Sequence, residues 1–355
     1  MKILIFSLGR KGGSVRYATE IVNRLKCEYK IFTSLFSIEK NPKNSIKIPT
    51  YNGSISFIFS TLFFLPFFLI FLLFYQRKHK FNVIYFPYFH YWNYPIIKII
   101  KIIFPKTKIV STVHDGIPHL GDGKLLEKEL NYKCIINSDK LIFLTEYVKN
   151  RIEEWVNTKL NSVVIPHGLI FLDGVNNKPR KWKRNMTLLF FGRVSKYKGI
   201  ELLLESIKDI DCDKFNKLII AGKWQYDLDI SLFDKCEKIE IINKFLNEKE
   251  ISELLNKSDI LILPYIEATQ SGVITLGISA SLPMVVTKVG GLCEQLNDSQ
   301  ALFIEPNKKE LKKAINRLIT DKDLYESISF SLYKKQAELT WDKIAQNIYK
   351  ELKNV

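Results

Sequence analysis

The chain is 355 residues long, enough for two domains of ordinary size, and its 46% hydrophobic content fills two cores without a disordered remainder. Its 53 Lys and Arg against 37 Asp and Glu leave a net charge of +16, which favours anionic partners: phosphorylated substrates, anionic lipid surfaces or nucleic acid. Nucleic acid is set aside for want of a zinc-ligand spacing or an aromatic RNA-binding signature, and the five scattered cysteines contain no CxxC pair that would indicate a metal knuckle.

The N-terminus "MKILIFSLGRKGG" carries too short an apolar run for a signal peptide and reads as a first strand, residues 3–7. A helix follows over 15–25, with Ala18, Ile21, Val22 and Leu25 on one face. Further strands are expected at 29–33, 83–86, 109–113, 141–144 and 163–165. Between the strands at 29–33 and 83–86 stands "ISFIFSTLFFLPFFLIFLLFY", residues 55–75, uncharged and long enough to span a bilayer. A single crossing would put strands of one sheet on opposite sides of the membrane. The segment is therefore expected to enter one leaflet without crossing, broken or kinked at Pro66, with the basic stretches after it facing an anionic cytoplasmic surface. The competing reading is a helix packed inside the domain.

A polar, basic, proline-bearing stretch at 173–185 reads as a linker. Beyond it strands are expected at 187–191, 217–221, 239–242, 260–263, 284–287 and 302–304, again separated by helical patterns. Continuous apolar runs bounded by turns and alternating with helices mean parallel sheets covered on both faces. The fold class is thus α/β, with two Rossmann-like doubly wound domains over 1–172 and 186–340. A terminal helix over 341–355 is expected to return to the first domain.

Ligands of such sheets bind outside the carboxyl ends of the strands, so the loops there carry the chemistry. In "FFGRVSKYKGIELLLESI", Arg193 and Lys198 stand between a strand and a helix N-terminus and form a cradle for a diphosphate. Gly12 and Gly13 lie at the first strand–helix turn and let a ligand approach backbone N–H groups. Their spacing is not GxGxxG, which argues against a dinucleotide-binding dehydrogenase. His114 and Asp115 leave a strand end together and suit sugar hydroxyls or proton transfer, with His119 and His167 ranking behind them. In "LPYIEATQSGV", Glu267 offers a carboxylate to hydroxyls and the Ser271-Gly272-Val273 turn offers N–H groups to a phosphate. An anion site beside a polyol site fits a nucleotide sugar.

These stretches, with "HDGIPHLGD", "VIPHG", "IIAGK" and "LPMVVTKVGG", resemble the retaining glycosyltransferases of family 4, which have the GT-B fold of two domains facing across a cleft. The resemblance implies that Arg193 and Lys198 hold the donor diphosphate, that Glu267 holds the donor sugar, and that His114 lies near the reacting carbon. It implies retention of anomeric configuration without a metal or other cofactor. Together with the apolar segment it also implies a polyprenyl-diphosphate-linked glycan as acceptor, at the cytoplasmic face of the inner membrane. One departure stands out. The family carries a second glutamate eight positions after the first, and here that position is Thr275. A non-catalytic partner subunit with a degenerate donor site therefore remains an alternative. So does a metal-dependent transferase using "DIDCD" (209–213) or "DLD" (227–229).

Overall fold

The computed structural model describes residues 1–114, 125–227 and 238–355, and the chain divides after Gly168. One unit is Met1–Gly168 with Trp341–Val355, and the other is Leu169–Thr340. Asp115, His119 and Asp229 lie outside the described residues.

The first unit holds strands β1 (Lys2–Ser7), β2 (Glu28–Ser34), β3 (Ser45–Ile48), β4 (Val83–Phe86), β5 (Lys108–Val113), β6 (Lys140–Phe143) and β7 (Ser162–Val164). They pair in parallel in the order β3-β2-β1-β4-β5-β6-β7. Its helices are α1 (Gly13–Val22), α2 (Ser54–Phe59), α3 (Leu65–His79), α4 (Asn93–Ile103), α5 (Leu125–Ile136) and α6 (Glu146–Val156). The two-residue period of β1 assigns each side chain to a face. Ile3 and Ile5 pack with Tyr17 and Ile21 of α1, whereas Leu4 and Phe6 pack with Phe68 of α3 and Ile96 of α4. The C-terminal helix, Trp341–Lys353, covers the α1 side through Trp341, Ile344 and Ile348. Gly168 is required there, since a Cβ would fall 2.5 Å from the Trp341 ring.

The apolar segment forms neither a buried core helix nor a free-standing one. Helices α2 and α3 run on through a π-helical turn, Ser60–Phe64, where the Leu65 N–H reaches back to Ser60 O. Pro66 lies directly after that turn. It has no N–H to give the preceding turn, and the wider coil accommodates the mismatch. Leu65, Phe68 and Leu72 are buried against the sheet while the opposite side is exposed.

The second unit holds β8 (Met186–Phe191), β9 (Phe215–Ala221), β10 (Ile239–Ile242), β11 (Ile260–Leu263), β12 (Met284–Thr287) and β13 (Leu302–Ile304), all parallel in the order β10-β9-β8-β11-β12-β13. Helices α7 (Ile200–Ile207), α8 (Glu248–Lys257), α9 (Gly272–Ser279), α10 (Leu292–Gln295), α11 (Lys308–Thr320) and α12 (Lys322–Lys335) connect and cover them. The stretch read as a linker, 173–185, is fastened to this unit. Arg180 donates from Nε to Ala280 O at 2.9 Å and from Nη2 to Leu255 O at 3.2 Å, and Trp182 Nε1 donates to Ile319 O at 2.9 Å. Its polarity serves these contacts rather than solvent, so the division falls at Gly168 and not at 172.

Candidate functional site

Strand β8 has β9 on one side and β11 on the other, so the strand order reverses between β8 and β11, where a ligand crevice is expected. The loops leaving these two strands are bound to each other. Ile266 N donates to Tyr197 O at 2.8 Å, and Gly199, at φ +66°, lies so close that a Cβ would sit 1.9 Å from Pro264 O. Only glycine fits both that dihedral and that approach.

Lys198 is buried, and its ammonium lies 3.6 Å from the centroid of the Tyr265 ring. A cation held over an aromatic face has its direction set before any ligand arrives. Tyr265 is itself fully buried, and burial holds its phenol far above the usual range, so no tyrosinate competes for the cation. Its hydroxyl is 3.4 Å from Ser271 Oγ, linking the cation to the small-residue turn. Arg193, on the same loop as Lys198, is exposed beside a backbone anchored by Val194 N to Lys223 O at 3.0 Å. The two cations thus differ: one is fixed and dry, the other reaches from solvent.

The turn at Ser271 is more constrained than its small residues suggest. Gln295 Oε1 accepts from Ser271 N at 2.7 Å and Gln295 Nε2 donates to Ser271 O at 3.1 Å. The Ser271 N–H is therefore already engaged, which corrects its expected role toward a phosphate. Gly272 and Val273 begin α9, where N–H groups lack intrahelical acceptors, and nothing lies within 4 Å of where a Gly272 Cβ would be. Glu267 is part-buried between Tyr265 and this turn. Thr275 turns its hydroxyl onto Gly272 O at 2.8 Å, so the position of the missing acid is occupied by a helix-internal bond. Ser195 Oγ and Gln270 Oε1 are buried without a hydrogen-bond partner among the described residues, as polar groups awaiting a ligand or water would be. Nothing in the local sequence marks Tyr265, Gln295, Gln270 or Ser195, because their surroundings are set by residues distant in the chain.

In the first unit the loop after β1 is pinned by Tyr88, whose hydroxyl accepts from Gly9 N at 2.8 Å. Gly12 and Gly13 are open, with nothing within 4 Å of where a Cβ would stand on either. The Gly12 N–H, however, donates to Glu39 Oε1 at 3.0 Å, so of the two glycines it is Gly13, opening α1, whose N–H suits a ligand. His114 lies edge-on to Tyr17 at 4.6 Å and, since a carbonyl can only accept, donates from Nε2 to Pro87 O at 3.0 Å. In the neutral ring this leaves Nδ1 as the acceptor. His167 is wedged between Tyr17 and Trp341, donates to Gly168 O at 2.6 Å, and has its pKa lowered to about 4 chiefly by burial. It is a packing residue.

The acids of "DIDCD" stand at the amino end of β9, the edge opposite these loops. Asp209 pairs with Lys308 at 3.1 Å, and Asp211 caps the turn by accepting from Asp213 N. No group of three metal-ligating side chains occurs among the described residues.

Two family profiles match the chain. The one described as "Glycosyltransferase Family 4" covers residues 11–170, and the one described as "Glycosyl transferases group 1" covers residues 185–321. A Methanocaldococcus jannaschii protein described as an uncharacterized glycosyltransferase is 30% identical over 61% of this chain and 60% of its own length. The lipopolysaccharide 1,2-N-acetylglucosaminetransferase of Salmonella typhimurium is 25% identical over 70% of this chain and 68% of its own length. Among solved structures, the Anabaena HepE protein in complex with UDP has the same fold, with a TM-score of 0.76 over 100% of both chains at 15% identity.

Proposed function

This chain belongs to the family 4 glycosyltransferases, with their GT-B fold, and we propose that it moves a sugar from a nucleotide-sugar donor to a lipid-linked glycan with retention of anomeric configuration. The observation that carries this is Lys198: a buried ammonium fixed over Tyr265 at the switch point, beside the open amino end of α9. As the bond between the anomeric carbon and the donor phosphate breaks, negative charge gathers on the phosphate. Lys198, Arg193 and the first N–H groups of α9 stabilise it in place, without reorganisation at the moment of reaction. Glu267 accepts from hydroxyls of the donor sugar and fixes the orientation of the reacting carbon. The acceptor hydroxyl bonds to that carbon from the face the phosphate is leaving, and its proton passes to the departing phosphate oxygen. Retention follows. Two side-chain cations and a helix terminus supply the positive charge in this reading, so no metal is required.

The acceptor class rests on unit 1. The exposed apolar helix supports a site of action at the cytoplasmic face of the inner membrane, where a polyprenyl-diphosphate-linked glycan would present its sugars. The name of the Salmonella relative is consistent with cell-surface polysaccharide assembly. The test is a thermal-shift panel of nucleotide sugars on detergent-purified protein, followed by transfer assays with and without a chelator and NMR of the product's anomeric centre. Stabilisation by no nucleotide sugar would favour the non-catalytic subunit, the reading that Thr275 motivates. Loss of transfer with chelator, or inversion, would overturn the mechanism.

A further inference from the structure

The outer face of residues 54–79 takes no part in donor chemistry, yet it carries a long run of exposed apolar side chains. The helix is 26 residues long, and its most apolar 18-residue stretch has a mean hydropathy of 2.6. Two rows of side chains divide it. The inner row is Thr61, Leu65, Phe68, Leu72 and Gln76. Thr61 Oγ1 accepts from Trp92 Nε1 at 3.0 Å, Phe68 meets Phe32 at 5.3 Å between ring centroids, and Gln76 Nε2 donates to Phe81 O and Thr107 Oγ1, each at 2.9 Å. The helix is thus fastened to its unit along its length. The outer row is Ile55, Phe59, Phe63, Phe67, Ile70 and Phe74, between 53% and 74% exposed. Neighbouring α4 ends in Ile102 and Ile103, 70% and 47% exposed.

A surface helix of a soluble domain turns polar residues outward, and contiguous apolar patches of this size mark a partner. The composition selects which partner. No Asp or Glu occurs between Glu39 and Asp115. Arg77, Lys78 and Lys80 at the end of α3 and Lys98, Lys106 and Lys108 around α4 are exposed. A row of Phe, Ile and Leu whose flanking chain segments carry cations and no carboxylate complements hydrocarbon beneath anionic headgroups, whereas a protein interface of this kind carries a mixed polar rim.

Deepening the membrane reading above, on which it rests, we propose that residues 54–79 lie in the plane of one anionic leaflet, outer row immersed and inner row on the sheet. Crossing the bilayer would tear the inner row from the core of unit 1. The placement has a consequence for the substrate. The helix begins beside Asn52, whose Oδ1 accepts from Arg10 Nη1 in the loop after β1. Immersion of the helix therefore sets the carboxyl edge of the first sheet, with Arg10, Lys11 and Gly13, at headgroup level. A membrane-anchored acceptor bearing a diphosphate meets that edge without leaving the leaflet.

The experiment uses the full chain with vesicles of phosphatidylcholine and phosphatidylglycerol whose acyl chains are brominated near the headgroup or near the midplane. The five native tryptophans lie off the outer row and supply the baseline. Phe59→Trp, Phe67→Trp and Phe74→Trp should each add emission quenched more strongly by the shallow bromines, to similar extents along the helix. Phe68→Trp should add emission that neither lipid quenches. A depth gradient with a midplane maximum would establish a crossing helix, and absence of quenching at all three outer sites would show another occupant; either result overturns the proposal. Phe67→Ser/Phe74→Ser should lower vesicle binding by about tenfold or more while leaving nucleotide-sugar binding in solution unchanged. Loss of nucleotide-sugar binding in every form, with quenching intact, would instead count against the transferase reading alone.

Discussion

Removing the ring beneath Lys198 tests whether the donor cradle is organised as described. The ammonium sits 3.6 Å from the Tyr265 centroid and both groups are buried, which places the interaction at the desolvated end of the cation–π range, about 2 kcal/mol. Tyr265→Leu should therefore weaken binding of a nucleoside diphosphate by ~1–2 kcal/mol, roughly 5- to 30-fold, by freeing the cation rather than removing it. Tyr265→Phe keeps the ring and loses only the long 3.4 Å hydroxyl contact to Ser271, so it should stay within about 0.5 kcal/mol of wild type. Lys198→Met should cost ~2–4 kcal/mol, and in that background Tyr265→Leu should have little further effect on affinity. Isothermal calorimetry measures all four proteins and the double variant, with circular dichroism melts to separate binding from core damage. Additive losses in the double variant would refute the idea that Tyr265 acts through Lys198. So would unchanged affinity in a well-folded Tyr265→Leu.

Arg193→Ala should reduce kcat/KM by roughly 1–3 kcal/mol and lessen its salt sensitivity, whereas Lys181→Ala, which breaks only a surface pair with Glu326, should leave it unchanged; steady-state kinetics at two ionic strengths decide. Glu267→Gln should keep the melting temperature and lower kcat sharply, and a rate within about twofold of wild type would make the acid structural. Gln295→Leu removes both bonds to the Ser271 backbone and should raise the donor KM more than it lowers kcat, since Gln295 positions the turn rather than touching the substrate; an unchanged KM in folded protein removes it from the site. His90 accepts from Trp92 N, and burial lowers its pKa from 6.5 to about 3, so the unfolded chain takes up a proton that the folded chain refuses. Its contribution is intact above pH 6.5 and is lost on acidification toward about pH 3, at about 1.4 kcal/mol per pH unit. His90→Asn should flatten that slope in pH-dependent melts, and an identical slope would mean other groups set it.

The strands were legible because parallel strands covered on both faces must be apolar throughout, and β4 (VIYF) and β11 (ILIL) are so from end to end. β3 escaped notice for the opposite reason: "SIKI" is a short edge strand with one covered side, and four alternating residues carry no distinctive signal. Lys198 and Gly12 could be placed at strand ends by chain order alone. Whether their groups were available could not, because that depends on partners far along the chain. The carboxylate that engages the Gly12 N–H comes from Glu39, and the amide that engages Ser271 comes from Gln295. The same limit explains the apolar segment. Hydropathy sums a helix over all its sides and cannot distinguish one that is greasy because it is buried from one that is greasy because it meets lipid. Here one row of the helix is buried by the sheet, and the opposite row is the one proposed to meet lipid. The inner row answers to the sheet, which is why the segment can stand between β3 and β4 without breaking the fold. The outer row answers to nothing within its unit, where a side chain such as Phe67 stays 73% exposed.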